Sequence, residues 1–222
     1  MVVEEFVYLG SLIHSSTRST CDTSRRSPIT RAAMQSLENQ TWRSWLFFSA
    51  ISTKLKLYNT CILPIFLYGS NCWAMSKMDG RKIDALDQWC LRMLLGIKWY
   101  QFDRNDDVRR RTKQPKLTAI IQLCRLTLFG HNMRMDGNTD ANRILLASPP
   151  ADWRRQPARS SRITWLSTVQ QDLKQHHLTL PEAADLAQNR PLWRMMVSMV
   201  ESGVDACMVL RNLRVACQKR RR

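Results

Sequence analysis

The stretch TKLKLYNTCILPIFLYGSNCWAM, Thr53 to Met75, decides how the chain folds. Leu55, Tyr58, Ile62 and Ile65 recur at helical spacing, while Leu57, Cys61, Leu63, Phe66 and Leu67 fill the remaining faces. A helix apolar on most of its circumference belongs inside a bundle, so this segment is expected to be the central core element. Pro64 lacks a backbone donor and crowds the preceding turn, and Gly69-Ser70 follow closely, so a kink or break is expected there. No charge intervenes between Lys56 and Lys77, a length just sufficient to cross a bilayer. Asn59, Pro64, Gly69, Asn71 and two serines lower its hydrophobicity, and a buried helix with no membrane partner is the preferred reading.

Around this core element the pattern is helical. Ser27-Pro28 reads as the opening of a helix through Ala32, Ala33, Met34 and Leu37. Asp79 reads as the cap of a helix with Ile83, Leu86, Cys90, Met93 and Leu94 on one face, terminated by Gly96. Asn105 reads as the cap of a short basic helix, and Pro115 separates it from a longer one striped by Leu117, Ile120, Ile121, Cys124 and Leu128. Leu166, Val169 and Leu173 mark a further amphipathic helix, Thr179-Leu180-Pro181-Glu182 opens another, and Trp193, Met196 and Val200 line a last one. Val2 to Ile13 is β-prone and ends in a Ser/Thr-rich turn, and a strand pair there would fray or pair elsewhere without a sheet. The fold class is therefore mainly α.

The chain of 222 residues carries 34 Lys plus Arg against 18 Asp plus Glu, a formal net charge of +16. Such a field attracts phosphate backbones and acidic membrane surfaces alike. Arginine outnumbers lysine, and guanidinium forks bind phosphate oxygens bidentately and stack on bases. Two clusters stand out as candidate nucleic-acid contacts. Arg109, Arg110, Arg111, Lys113 and Lys116 crowd the entry to a short-then-long helix pair that is helix-turn-helix-like but lacks a glycine in its turn, so backbone contact is favoured over groove reading. In SPPADWRRQPARSS, Ser148 to Ser161, Trp153 stands among Arg154, Arg155, Arg159 and the following Arg162; arginines can track a single-stranded backbone while the indole stacks on a base, and a plain solvated linker fits equally.

The seven cysteines, at 21, 61, 72, 90, 124, 207 and 217, form no Cys-x-x-Cys pair and follow no signal peptide, so they read as reduced thiols of a nuclear or cytoplasmic, not secreted, protein. His14, His131, His176 and His177 do not stand at zinc-ligand spacing with them, and neither a metal nor another cofactor is expected. Asp106-Asp107 follow Arg104-Asn105 rather than an aromatic strand; they suit a helix's first turn, where the macrodipole favours carboxylates.

Several strings, in one order, resemble the downstream part of non-LTR (LINE-type) retrotransposon reverse transcriptases: FVYLGSLI at Phe6–Ile13, the Thr53–Met75 stretch, RNDDVRRRTKQPKL at Arg104–Leu117, LTLFGHNMRM at Leu126–Met135 and ITWLSTVQQDL at Ile163–Leu173. The resemblance covers Phe6 to Met196. It implies that the palm with its catalytic aspartates lies upstream of the Tyr8-Leu9-Gly10 turn, that Tyr8 and Gly10 sit where the primer terminus is gripped, and that the helices beyond form the thumb and a basic region. It further implies template-primer RNA or DNA as partner, together with the missing palm, and no polymerase activity in this chain alone. The expected organisation is a palm-edge hairpin remnant at 1–20, a thumb-like helical domain at 21–147, a basic Pro/Arg/Ser linker at 148–162, a small helical region at 163–201 and a disordered basic tail at 202–222. Departures from the family pattern are Gln156-Pro157-Ala158-Arg159 where relatives carry Gly-Arg-Pro, no Cys/His knuckle at Cys207 and Cys217, and no recognisable string after Glu201. Two other readings stay open: a helical protein-interaction domain, and a decayed element-derived reading frame with no selected activity.

Overall fold

The computed structural model describes residues 4–14, 19–37, 51–98, 100–137, 139–140, 143 and 163–202, and these are mainly α-helical with one short hairpin. The chain divides into two compact units, 1–121 and 122–222. That division lies inside a long helix; the stretch 148–162 and the tail beyond Ser202 lie outside the described residues.

The first unit opens with β1 (Glu5–Tyr8) and β2 (Ser11–His14), paired antiparallel with Phe6 opposite Ile13 and Val7 opposite Leu12. Leu9 and Gly10 make a two-residue turn with both φ positive, 46° and 81°. This is the geometry that follows the natural twist of a hairpin, but it normally calls for Asn-Gly, and a leucine there is strained. The turn is held from outside. Tyr68 Oη donates to the Leu9 carbonyl at 2.6 Å, and Arg26 Nη2 donates to the Gly10 carbonyl at 2.8 Å. The hairpin is therefore not the unsupported remnant expected from its sequence: side chains more than ten residues away satisfy its backbone.

Helix α1 (Thr20–Ser36) begins eight residues before the expected Ser27-Pro28 start and carries Pro28 in its interior. A carboxylate overrides the proline signal. Asp22, buried in the first turn, accepts from the Leu12 backbone N–H at 3.1 Å, from Arg26 Nε at 3.2 Å and from Trp73 Nε1 at 3.0 Å. Trp73 packs edge-on against Phe66 with ring centroids 5.5 Å apart.

The Thr53–Met75 stretch is interrupted as expected, but earlier and more gently than a break at Pro64. It runs as α2 (Ile51–Leu57), a π-helical turn (Tyr58–Ile62), α3 (Leu63–Leu67) and a 3-10 turn (Ser70–Cys72) entered through Gly69 at φ 73°. A wide turn is the solution to the proline: Leu63 N–H reaches five residues back to the Tyr58 carbonyl, which relieves the ring of Pro64 from the carbonyl one α-turn before it. Tyr58, Ile62, Leu63 and Phe66 are buried, as a core element requires, while Cys61 faces solvent.

Helix α4 (Lys77–Leu95) is capped by Ser76, three residues before the expected Asp79; Asp79 is the acidic partner in a reciprocal capping box. Ile83, Leu86, Cys90, Leu91 and Leu94 pack inward, and Gly96, at φ 71°, closes the helix as its sequence foretells. Helix α5 (Asn105–Thr112) follows, with Arg104 rather than Asn105 at the cap position, and α6 (Leu117–Met133) begins after Pro115.

In the second unit the buried face of α6 moves off the expected Cys124 and Leu128 onto Arg125, Leu126 and Phe129. Helices α7 (Trp165–Gln175), α8 (Leu180–Gln188) and α9 (Arg190–Ser202) complete the unit. Thr164 and Ser167 form a capping box on α7, and Glu182 accepts from the Thr179 N–H at 3.0 Å to cap α8. Val169, Leu173, Ala183, Ala187, Trp193 and Met196 join Leu126 and Phe129 in the core. Arg125 meets this apolar interior by a two-pronged bond to Asp172, Nε at 2.9 Å and Nη2 at 2.6 Å to one carboxylate oxygen. Burial lifts the Asp172 carboxyl above its ordinary range, with Arg125 opposing.

Two stability predictions follow from this packing. Ile62→Ala and Leu63→Ala should each cost about 2 to 5 kcal/mol, whereas exposed Pro64→Ala should stay within about 0.5 kcal/mol of the parent; thermal and urea melts measure both. Gly130→Ala should destabilise the second unit by about 1 to 3 kcal/mol or more, because its Cβ would stand 2.0 Å from Trp193 Nε1, which donates to the Leu126 carbonyl at 3.1 Å. Tryptophan fluorescence during unfolding reports that change.

Candidate nucleic-acid interface

The short basic helix α5 is placed by a buried polar cluster. Asp87, on the inner face of α4, accepts from Tyr58 Oη at 2.7 Å through one oxygen and from Arg109 Nη2 at 2.6 Å through the other. The π turn, α4 and α5 are thereby tied together. Burial raises the Asp87 carboxyl above the usual carboxylate range, opposed by the bonds from Tyr58 and Arg109. Burial likewise raises the Tyr58 phenol, with the Asp87 charge adding to it, and the neighbouring Cys90 thiol is pushed up to about 12 by burial and then by Asp87. These groups stay un-ionised (Tyr58, Cys90) or paired (Asp87, Arg109), and their geometry is that of a structural link rather than a reacting site.

Arg109 also donates to the Pro115 carbonyl at 2.7 Å, across the turn between α5 and α6. That turn has no glycine, and Lys113 instead takes the left-handed conformation at φ 52°. The first turn of α6 is satisfied from α4: Asp84 accepts from the Thr118 N–H at 3.2 Å and from its hydroxyl at 3.0 Å. The start of α5 is secured similarly, Arg92 donating to Asn105 Oδ1 at 3.1 Å and to the Asp103 carbonyl.

Of the five basic side chains read as phosphate contacts here, Arg109 is thus committed to internal partners, with its side chain 17% exposed. Arg110 and Arg111 face solvent. Arg110 pairs with Asp107 three residues back, and Arg111 lies 3.9 Å from Asp103. Exposed pairs of this kind are worth little and yield readily to a phosphate. Lys113 and Lys116 are exposed beside them. Asp106 and Asp107 occupy the first turn of α5, where the sequence placed them.

Tyr8 is exposed at the end of β1, and Gly10 is the hairpin turn secured by Arg26 and Tyr68. The Arg26 guanidinium also lies 4.9 Å from the centre of the Tyr68 ring. The sequence reading missed Arg26, Tyr68, Asp87 and Asp84, and had Tyr58 as a core residue without its bond to Asp87. Only the Asp22/Arg26 pair had a legible signal, a carboxylate and a guanidinium at i, i+4. Trp153, Arg154, Arg155, Arg159 and Arg162 lie outside the described residues. Among the described residues, no three His, Cys, Asp or Glu side chains gather as metal ligands, and no helix is long and apolar enough to cross a membrane.

Neither a family model nor a solved structure matches the chain. An uncharacterized, transposon-derived protein of Caenorhabditis elegans is 23% identical to it over 179 residues, covering 77% of this chain. The chain spans 61% of that relative's length. The similarity points to an origin in a transposable element.

Proposed function

We propose that the chain is the thumb and carboxyl-terminal part of a non-LTR retrotransposon reverse transcriptase, holding template-primer nucleic acid for a palm carried elsewhere. The observation that carries this reading is the ordered set of reverse-transcriptase-like strings between Phe6 and Met196, joined by the likeness to a transposon-derived protein. The geometry supports it in one respect: a rigidly placed α5–α6 turn presents Arg110, Arg111, Lys113 and Lys116 to solvent, which suits sequence-independent grip on a phosphate backbone.

A protein-interaction domain is less well supported. Trp73 and Trp193 are buried and Trp89 and Trp165 half-buried, so among the described residues tryptophan forms no exposed docking surface. A decayed reading frame is favoured by one feature, the loss of family pattern after Glu201.

Binding is tested by fluorescence anisotropy with labelled single-stranded and duplex oligonucleotides across a salt series. Arg110→Gln with Arg111→Gln should weaken binding to all sequences alike and lower the duplex salt slope by about 2, near 0.9 per lost contact, without changing the melt. Arg109→Gln should instead cost about 3 to 5 kcal/mol of stability, since it strands a buried carboxylate. Replacing Trp153 should reduce single-strand affinity more than duplex affinity, by about 1 to 3 kcal/mol. Absence of binding at low salt removes the nucleic-acid reading.

The chain alone is not expected to extend a primer, because its sequence has no aromatic-x-Asp-Asp strand on which two-metal transfer is built. A primer-extension assay on homogeneous protein checks this. Extension abolished by Asp106→Asn or Asp107→Asn would overturn it.

A further inference from the structure

The described arginines of the second unit fall into two kinds. Arg125 is buried against Asp172, and Arg143 lies 3.8 Å from Asp140, each answered by a carboxylate. Arg134, Arg190 and Arg194 have no carboxylate partner among the described residues. They nevertheless gather. Arg134 follows the end of α6, and its Nη1 donates to the Ala187 carbonyl at 2.9 Å, in the last turn of α8. That bond satisfies a carbonyl left open at a helix end and ties one guanidinium nitrogen to it. Asn189 alone separates α8 from α9, and Arg190 and Arg194 stand one turn apart on α9, both exposed.

Desolvation lowers the Arg134 guanidinium from its ordinary range, and the charges of Arg190 and Arg194 lower it further. The three like charges repel, and among the described residues no ion pair to an acid relieves them. The first turn of α9 adds no open donors of note: Pro191 has no N–H, and those of Leu192 and Trp193 bond Asn189 Oδ1 at 3.3 Å and the Asn189 carbonyl at 2.9 Å, so the site rests on its guanidinium groups. A guanidinium held by a carbonyl beside two exposed ones suits the receipt of phosphate oxygens by charge-assisted, forked hydrogen bonds.

We propose that Arg134, Arg190 and Arg194 form a second nucleic-acid site, in the 122–222 unit, that binds backbone phosphates independently of the α5–α6 turn. This deepens the function proposed above and rests on it. The site was not visible in the sequence, where Arg134 stands 56 residues from Arg190. It reads phosphate and not bases, so its contribution is independent of sequence and steep in salt.

The test uses the full chain with Arg190→Gln and Arg194→Gln together, which spares the structural bond of Arg134. Beside it stand the Arg110/Arg111 glutamine pair and a charge-preserving Arg190→Lys, Arg194→Lys variant. Anisotropy is measured on labelled duplex and single-stranded oligonucleotides from low to moderate salt. The glutamine variant should melt like the parent and lose about 2 from the duplex salt slope, the lysine variant should regain most of it, and the losses from the two sites should add. A parent that binds with a glutamine variant unchanged in affinity and slope overturns the second site while leaving the proposed function standing. A parent that binds no oligonucleotide overturns both. Vesicles containing phosphatidylserine form the last arm: if the glutamine variant loses vesicle binding yet keeps its oligonucleotide affinity, the cluster is a lipid-headgroup site and the proposal is wrong.

Discussion

A carboxylate buried in an apolar core has to be paired, and Asp87 imposes that constraint on the first unit. Its two oxygens face in two directions, one toward Tyr58 on the π turn and the other toward Arg109 on α5. Both partners owe their positions to local chemistry. The wide turn that accommodates Pro64 carries Tyr58, and Arg109 lies in the helix that Arg92 and the Asp103–Asn105 segment anchor. Removing any member leaves a buried polar group unsatisfied, which costs more than the intact link contributes. The basic surface of α5 is therefore attached to the core by one of its own arginines, and the remaining two are left for solvent.

The same device recurs at the amino-terminal end and in the second unit. Asp22 gathers the backbone of β2, the guanidinium of Arg26 and the indole of Trp73. Arg26 then reaches on to the Gly10 carbonyl and to the Ile65 carbonyl at 3.2 Å. A two-stranded hairpin has too little apolar burial to persist alone, and this one keeps a strained leucine in its turn because Tyr68 and Arg26 hold both turn carbonyls. Both faces of β1 stay exposed, with Phe6 and Tyr8 on one and Val7 on the other. In the second unit Arg125 and Asp172 play the corresponding part.

A chain with net charge +16 spends its scarce carboxylates selectively. Asp22, Asp87 and Asp172 are buried against arginine inside the units, Asp79 and Glu182 cap helices, and Asp84 serves α6. The acids left at the surface include Asp103 and Asp107 beside Arg111 and Arg110, and the excess of 34 basic over 18 acidic side chains is what keeps the field positive.

Sequence by itself determined the mainly α class, the burial of the segment around Ile62 and Leu63, the glycine stop at Gly96 and the Thr179 to Glu182 helix start. Each rests on short-range periodicity or on a capping residue within three positions, which are local properties of the chain. Tertiary structure decided the rest. Pro28 lies inside a helix because a distant tryptophan and a strand N–H fix Asp22 one and a half turns earlier. Arg109 turned inward while Arg110 and Arg111 did not, since only position 109 faces Asp87, and a run of three arginines carries no mark of which one will. The buried face of α6 shifted from Cys124 to Arg125 because Asp172, 47 residues away, makes a charged side chain tolerable in the core. The cluster of Arg134, Arg190 and Arg194 arises from the return of α8 and α9 toward the end of α6. Partners that far apart in the chain leave no periodic trace, so their pairing exists only once the helices have packed.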